Sequence, residues 1–188
     1  LRRLALGNNQ LSGSVPESFG NLAALETLSL GGNALTGTIP ATFGDLDALT
    51  ILNMGGNQIT GPLPPELADM QSLETLELRL TPIGGEIPTW IGSFPSLKRL
   101  VLAEAGLTGP IPPQLGDYGS QLETLDLDGN QLSGAIPAEL GQLTGLSNLF
   151  LSRNQLTGNV PEELGQLPGP VQVLLFDNPL SGLVPLPA

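Results

Sequence analysis

The chain has 188 residues with 18 acidic and 6 basic side chains, which gives a formal net charge of −12. A chain this acidic repels nucleic acid and anionic membrane surfaces, so we expect neither as a partner. Cysteine and histidine are both absent, which excludes disulfides, thiolate metal sites and nucleophilic triads that need a His or Cys. We therefore expect no enzyme, no cofactor and no metal site in this span. No apolar run approaches the roughly 18 residues of a membrane helix, so we expect no membrane insertion.

One phrase recurs along the whole chain with a period of 24 residues, and 25 once. Its clearest copy reads LETLDLDGNQLSGAIP, from Leu122 to Pro137. Counted from the first position of the phrase, the copies begin at Leu1, Leu25, Leu49, Leu73, Leu97, Leu122, Leu146 and Pro170. We number these units 1 to 8 and call a residue's position within its unit its phase. A fixed period of this length is typical of a solenoid, in which each unit packs on its neighbours.

The first half of each unit predicts a short strand followed by a turn. Phases 3 to 8 alternate, so the leucines point inward and phases 3, 5, 7 and 8 should point outward. Phase 9 should form a ladder of buried asparagines that satisfies backbone groups of the turns. Its members are Asn9, Asn33, Asn57, Asn130, Asn154 and Asn178. Thr81 and Ala105 interrupt this ladder in the middle of the array.

The second half of each unit predicts a tight turn and a helical return. Phases 12 to 16 read Ser/Thr-Gly-x-Ile/Val/Leu-Pro in seven units, where Gly suits a turn with positive φ and Pro suits a bend. A helical or 3₁₀-like piece should follow, because the apolar phases 19 and 22 share one helical face.

Three positions depart from the regular pattern. Unit 5 has one extra residue around positions 117–121, where we expect a bulge away from the strand. In unit 8 we prefer a start at Pro170, which leaves Leu174 and Phe176 facing outward, over a start at Val171. Trp90, the only tryptophan, falls at phase 18 and could be either an exposed contact or a side chain folded over a neighbouring unit.

The pattern LxxLxLxxNxLSGxIPxxLGxLxx resembles the plant-type leucine-rich repeat over essentially all of the chain. That family includes receptor-kinase ectodomains, polygalacturonase-inhibiting proteins, some ice-binding proteins and the repeat domains of ROCO-type GTPases. The resemblance implies an α/β repeat fold, a right-handed horseshoe solenoid of eight units with a parallel sheet on its concave side. It also implies a binding role for the repeats, with any catalysis in another domain of a longer protein.

Both ends of the array would expose apolar surface, whereas solenoids need polar caps. We therefore expect residues 1–188 to be one leucine-rich-repeat domain, an excerpt without its caps, monomeric and flanked by other domains. Two compartments remain open. The family resemblance implies an extracellular or cell-surface protein, whereas the absence of cysteine and of any Asn-x-Ser/Thr sequon favours the cytoplasm.

The outward phases suggest a binding surface for a protein or peptide. All six bases and eight of the 18 acids lie at phases 2 to 8, whereas the return segments hold the other ten acids and no base. A surface that mixes charges with apolar and aromatic groups has the composition of an interface. Units 1 to 3 carry small side chains there, so we place the site on the later units. The candidate partner-binding residues are Arg79, Leu80, Arg99, Val101, Glu104, Asp126, Asp128, Phe150, Arg153, Leu174 and Phe176.

Three other interpretations compete with this one. The Arg–acid neighbours could be cross-strand pairs that only stabilise the sheet. The Ser/Thr row at phase 12, which Gly84 interrupts, could bind ice or a carbohydrate surface, although turn chemistry explains it as well. The pair Asp126 and Asp128 could act as glycosidase carboxylates or bind a divalent cation, but one unit supplies both groups without a ring of further ligands.

Overall fold

We describe the fold from a computed structural model, in which residues 1–182 are described. Val184 and Pro185, which the repeat pattern assigns to the last turn of unit 8, lie outside the described residues.

Each unit contributes one three-residue strand to a continuous parallel sheet. Within residues 1–182 the sheet has eight strands, and their spatial order follows the order of the chain. The strands are Arg3–Ala5, Thr27–Ser29, Ile51–Asn53, Thr75–Glu77, Arg99–Val101, Thr124–Asp126, Asn148–Phe150 and Gln172–Leu174. Neighbouring strands pair residues 24 apart, as in Leu28 with Leu52, and 25 apart where Arg99 pairs with Thr124. The predicted leucine-rich-repeat solenoid is therefore confirmed.

The core is one cluster of leucines and other apolar side chains running the length of the array. In unit 2, for example, Leu25, Leu28 and Leu30 are all buried. Strand alternation produces this arrangement, because phases 4 and 6 point away from the concave surface and into the coil. The unit 8 strand pairs Val173 with Leu149 across a 24-residue offset, and Val173 packs against the core.

The asparagines of phase 9 join consecutive units, except Asn9, which is exposed and bonds only within unit 1. Asn33 donates from Nδ2 to the carbonyls of Leu6 at 3.0 Å and Leu30 at 2.8 Å, and its Oδ1 accepts the Leu11 N–H at 3.0 Å. One amide thus satisfies backbone groups of two units. At Thr81 the hydroxyl donates to the Met54 carbonyl at 3.1 Å, which replaces only part of this pattern.

The return segments form short 3₁₀ helices rather than α-helices. Within residues 1–182 they are Glu17–Asn21, Ala41–Asp45, Pro65–Asp69, Thr89–Ser93, Pro113–Tyr118, Ala138–Gln142 and Glu162–Gln166. The extra residue of unit 5 lies at the end of its longer helix, where Tyr118 is buried and Gly119 has a φ of 54°. The insertion therefore does not disturb the strand. Trp90 is half-buried, packs against the core and meets Phe94 edge-on, with 6.0 Å between ring centroids.

A second set of strands, which the sequence pattern did not predict, lies on one flank of the solenoid. Ser12–Ser14 pairs with Ala34–Thr36, and Gln131–Ala135 pairs with both Thr108–Pro110 and Gln155–Thr157. Here the pairing is shifted by two residues relative to the main sheet, so that Ser14 lies beside Thr36. Turn chemistry at Ser/Thr-Gly concealed this element, because the glycine takes a positive φ inside the strand, as at Gly13 with φ of 83°.

Candidate binding surface on the concave face

The backbone turns sharply at phase 8, at the end of every strand of the main sheet. In all eight units this residue has a positive φ, and in three of them it is a glycine. The other phase 8 residues are Asn8, Leu80, Glu104, Arg153 and Asp177. A side chain in this conformation carries a cost, especially a bulky one such as Leu80. Five units therefore place a side chain where glycine would be unstrained.

Four of the predicted site residues form one ion-pair network across units 4 to 7. Glu104 Oε1 lies 3.6 Å from Arg79 Nη2 and 3.3 Å from Arg153 Nη2. Arg153 also donates from Nε and Nη2 to the carboxylate of Asp128, with 3.1 Å between Nε and Oδ2. This bond raises the pKa of Arg153 further above its usual range. The charged residues that suggested a binding partner therefore form ion pairs with one another in the free chain.

Gly129 makes this network possible. A Cβ at Gly129 would lie 2.8 Å from Glu104 Cγ and 3.4 Å from Arg153 Nη2. Because the glycine leaves that space open, Arg153 reaches across unit 6 to a carboxylate two units away. We call Arg79, Glu104, Asp128 and Arg153 the charge network.

Arg99 and Asp126 lie beside the charge network without joining it. Arg99 is exposed, and no carboxylate of the described chain lies within ion-pair distance of it. Asp126 is only 8% exposed, and its Oδ1 accepts the Asp128 N–H at 3.2 Å. Burial raises the pKa of Asp126, while the hydrogen bond and the nearby charges of Arg79 and Arg99 lower it. The side chain thus closes its own turn, and no group of three or more potential ligands for a metal ion occurs in residues 1–182.

Phases 3, 5, 7 and 8 were predicted to point outward, but several residues at these phases in units 5 to 7 are buried. Val101, a predicted contact residue, is 2% exposed, and Ala103 and Thr124 are also buried. Val101 lies between Glu77 and Asp126 in the register of the neighbouring strands. It therefore does not form part of the accessible surface.

The apolar candidates differ in accessibility. Leu80 is 52% exposed and Phe176 is 55% exposed, whereas Phe150 and Leu174 are half-buried. Ser152 lies at phase 7 between them, is 1% exposed, and its hydroxyl has no hydrogen-bond partner within the described chain. The later units therefore offer one apolar residue at each end of the charge network, Leu80 in unit 4 and Phe176 in unit 8.

Units 1 to 4 contain a depression that the sequence did not lead us to expect. It has a volume of about 260 Å³ and is open to solvent. Its lining residues are Gly7, Asn8, Ser29, Gly31, Gly32, Asn53, Gly55, Gly56, Glu77, Arg79 and Leu80. The signal was present as glycines at phases 7 and 8 of units 1 to 3, where five of six residues lack a side chain.

The Ser/Thr row of phase 12 does not pair residue for residue across the flank. Because the flank strands are shifted by two residues, Ser133 lies beside Gln155 rather than beside Thr157. The row is exposed at most of its described positions.

Sequence profiles described as leucine-rich repeat match residues 1–59, 121–143 and 145–167. Together these segments cover more than half of the chain. The chain belongs to the leucine-rich-repeat family. No curated protein gave a match.

Solved structures place the chain beside plant receptors. A TDR receptor matches with a TM-score of 0.91 and 35% identity over 95% of this chain. The Arabidopsis receptor kinase HAESA, solved with the peptide hormone IDA and the co-receptor SERK1, matches with a TM-score of 0.89 and 36% identity over 95% of this chain. This chain spans only 31% and 30% of those two chains, about a third of their length. The matched repeats are binding modules.

A plant ice-binding protein is also similar, with a TM-score of 0.76 and 28% identity. The match covers 98% of this chain and 67% of that protein.

In residues 1–182 no helix is both long and apolar enough to cross a bilayer.

Proposed function

We propose that the chain is a peptide-binding module of a cell-surface receptor. One observation carries the proposal: the concave face holds both a four-residue charge network and the exposed side chains of Leu80 and Phe176. The charged residues of the return segments, in contrast, are all acidic. Structural neighbours that bind peptide hormones support it. A receptor of that kind meets its ligand outside the cell, and the similarity lends no support to the cytoplasmic alternative.

The ligand's own charges would exchange partners with the charge network. Exposed ion pairs contribute only about 0–1 kcal/mol each to stability, so the fold does not depend on them. Within units 4 to 8 as described, Arg99 is the cation available without breaking an ion pair, and Leu80 and Phe176 are the apolar contacts. Such an arrangement selects for charge pattern, because a ligand with the wrong sign would leave a network member unpaired.

Charge reversal tests this site. A random 12-residue peptide library is selected on the wild-type chain, and the recovered peptides are measured against the triple variant Arg79→Glu, Arg99→Glu and Arg153→Glu. We expect a loss of affinity of about tenfold or more, since hydrogen-bonded interfacial charges typically contribute about 2 kcal/mol or more.

The matched control is Arg2→Glu, Arg3→Glu and Lys98→Glu, which has the same net charge but changes cations outside the proposed site. Binding should survive in the control. Equal loss in both variants would show that net charge alone matters, and no loss in the first would refute the site.

Ice binding is a second candidate, favoured by the similarity to the ice-binding protein and by the exposed Ser/Thr residues of the flank. The interruption of the row at Gly84 weighs against it. Inhibition of ice recrystallisation by the isolated chain would support ice binding. The same activity in a Thr36→Lys, Thr157→Lys variant would show that a surface other than the Ser/Thr row binds ice.

A further inference from the structure

The 3₁₀ helices pack closely at every junction between units except one. A Cβ placed on Gly44, at phase 20, would lie 2.4 Å from the Glu66 carbonyl of the next unit. The same position on Gly92 would lie 2.1 Å from the Gln114 carbonyl. Glycine at phase 20 therefore permits the close approach, and unit 3 alone among units 1 to 7 has an alanine there, Ala68. The helices of units 3 and 4 pack less closely than any other neighbouring pair within residues 1–182.

The flank is also open at this junction. One or two backbone hydrogen bonds join the other adjacent units there; at the unit 2–3 junction, Gln58 N–H donates to the Leu35 carbonyl and Thr60 N–H donates to the Gly37 carbonyl, each at 2.8 Å. The equivalent donors of unit 4 are Pro82, which has no N–H, and Gly84, which donates instead to Ala105 of unit 5 at 3.0 Å. Within the described residues neither of them bonds to unit 3.

The asparagine ladder is also interrupted at this junction. Thr81 stands at phase 9 of unit 4, where its hydroxyl donates to the Met54 carbonyl at 3.1 Å and accepts the Asn57 N–H at 3.4 Å. Where an asparagine stands at phase 9, its Oδ1 also accepts the phase 11 N–H of the unit before, as Asn154 does from Leu132. Thr81 has no second polar atom with which to do so.

The main sheet remains intact across this junction. Met54 N–H donates to the Glu77 carbonyl at 2.9 Å, and Gly56 N–H donates to the Arg79 carbonyl at 2.7 Å. The junction is therefore bonded on its concave side and open on its convex side and flank. We propose that it is a hinge, about which units 1 to 3 move relative to units 4 to 8. We call it the unit 3–4 hinge.

Trp90 belongs to the hinge. At other junctions the phase 20 residue of one unit faces the phase 18 residue of the next unit, as Gly44 faces Glu66. At the unit 3–4 junction these two positions are held by Ala68 and Trp90. The side chain of Trp90 is half-buried against the core and meets Phe94 edge-on. As the single tryptophan it also reports on the hinge by fluorescence.

The hinge gives the concave face an adjustable width. The depression is lined on one side of the hinge by Gly55 and Gly56 and on the other by Glu77, Arg79 and Leu80. Bending would therefore widen or narrow it. The existence of the hinge does not depend on peptide binding, because its causes are Ala68, Thr81 and Pro82.

Distance measurements between spin labels test the hinge, and the chain has no native cysteine to interfere. One labelled pair, Asp45→Cys with Asp117→Cys, spans three junctions including unit 3–4. The control pair, Ser93→Cys with Gln166→Cys, spans three junctions that exclude it. All four sites are exposed and lie at phase 21. We expect a broader distance distribution for the first pair, and equal widths would overturn the proposal.

Two designed variants test the cause. Ala68→Gly, Thr81→Asn and Pro82→Gln together restore the residues that other units carry, and should narrow the first distribution to the width of the control. We call this triple substitution the restored variant. Gly141→Ala, Asn154→Thr and Gln155→Pro place the opposite changes at the unit 6–7 junction and should broaden the control distribution. A first distribution that stays broad in the restored variant would overturn the assignment, even if the second variant proves too unstable to measure.

Discussion

Asp126 shows how a single concave-face residue can serve the fold at a cost. Its carboxylate is buried, closes its turn on the Asp128 N–H, and lies near two arginines that partly offset the loss of water. Burial is the largest influence, so the pKa of Asp126 is raised above its unfolded value. The contribution of Asp126 to folding stability is therefore complete below its unfolded pKa, and it is lost as the pH rises through its folded pKa.

We expect Asp126→Asn to raise the midpoint of urea unfolding at pH 7, because the amide keeps the turn hydrogen bond without a buried charge. The gain should shrink as the pH falls, because the wild-type carboxyl then takes up its proton and the buried charge disappears. Urea titrations at several pH values measure this. A wild-type protein that is more stable than the variant at pH 7 would show that Arg79 and Arg99 outweigh desolvation.

Individual side chains also mark the limit of prediction from sequence. Alternation correctly placed the leucines inside, because the strand period alone decides that. It failed at Val101, because accessibility on a concave face depends on the length of side chains from neighbouring strands. The pairing of Arg153 with Glu104 was equally hidden, since the two residues are 49 positions apart and meet only over Gly129.

At the scale of elements, the ladder asparagines do what a short strand cannot. Backbone hydrogen bonds between units continue through phase 8, but the phase 6 carbonyls and the phase 11 N–H need other partners, which one amide supplies. Asn154 donates to the carbonyls of Leu127 at 3.0 Å and Leu151 at 3.1 Å, and accepts the Leu132 N–H at 3.0 Å. The sequence indicated this role through the regular spacing of Asn alone.

We expect Asn154→Ala to destabilise the protein by at least about 1–3 kcal/mol, because buried backbone groups lose their partners. Asn154→Thr should cost less, since the hydroxyl of Thr81 shows that one carbonyl can still be satisfied. Urea unfolding of the two variants measures the difference. Equal costs would mean that the hydroxyl contributes nothing.

The flank strands were the element that sequence reasoning missed. Ser/Thr-Gly indicates a turn, and only the parallel pairing of successive units converts it into a ladder. Ala68 and Pro82 were visible in the sequence as departures from the repeat. Their effect on the packing between units 3 and 4 could not be predicted from the sequence. It depends on two contacts that only the structure shows: the phase 20 residue packs against the helix of the next unit, and the phase 10 N–H donates to a carbonyl of the unit before.

At the scale of the whole molecule, stability in a solenoid is a sum of unit and junction terms. Junction 3–4 lacks two flank hydrogen bonds and one ladder bond, each with a net contribution of about 0.5–1.5 kcal/mol. Units 1 to 3 should therefore open more readily than units 5 to 7, which keep these contacts.

Hydrogen exchange followed by mass spectrometry measures this directly. We expect faster exchange in the strands of units 1 to 3 than in those of units 5 to 7, because opening energies follow local contacts. The restored variant, which carries Ala68→Gly, Thr81→Asn and Pro82→Gln, should slow exchange in units 1 to 3 only. Uniform exchange along the wild-type chain would contradict the weak junction.

The two-residue shift of the flank strands has a consequence for the shape of anything that lies on the surface. Equivalent residues of the main sheet line up along the stacking direction, about 4.8 Å apart, so a straight ligand can meet the same phase in unit after unit. On the flank the pairing is shifted by two residues per unit, about 6.6 Å along the strand, so residues that pair across neighbouring strands have different phases. A rigid rod that follows the paired residues would meet a different phase in each unit, whereas a rod that follows one phase would cross the flank strands obliquely.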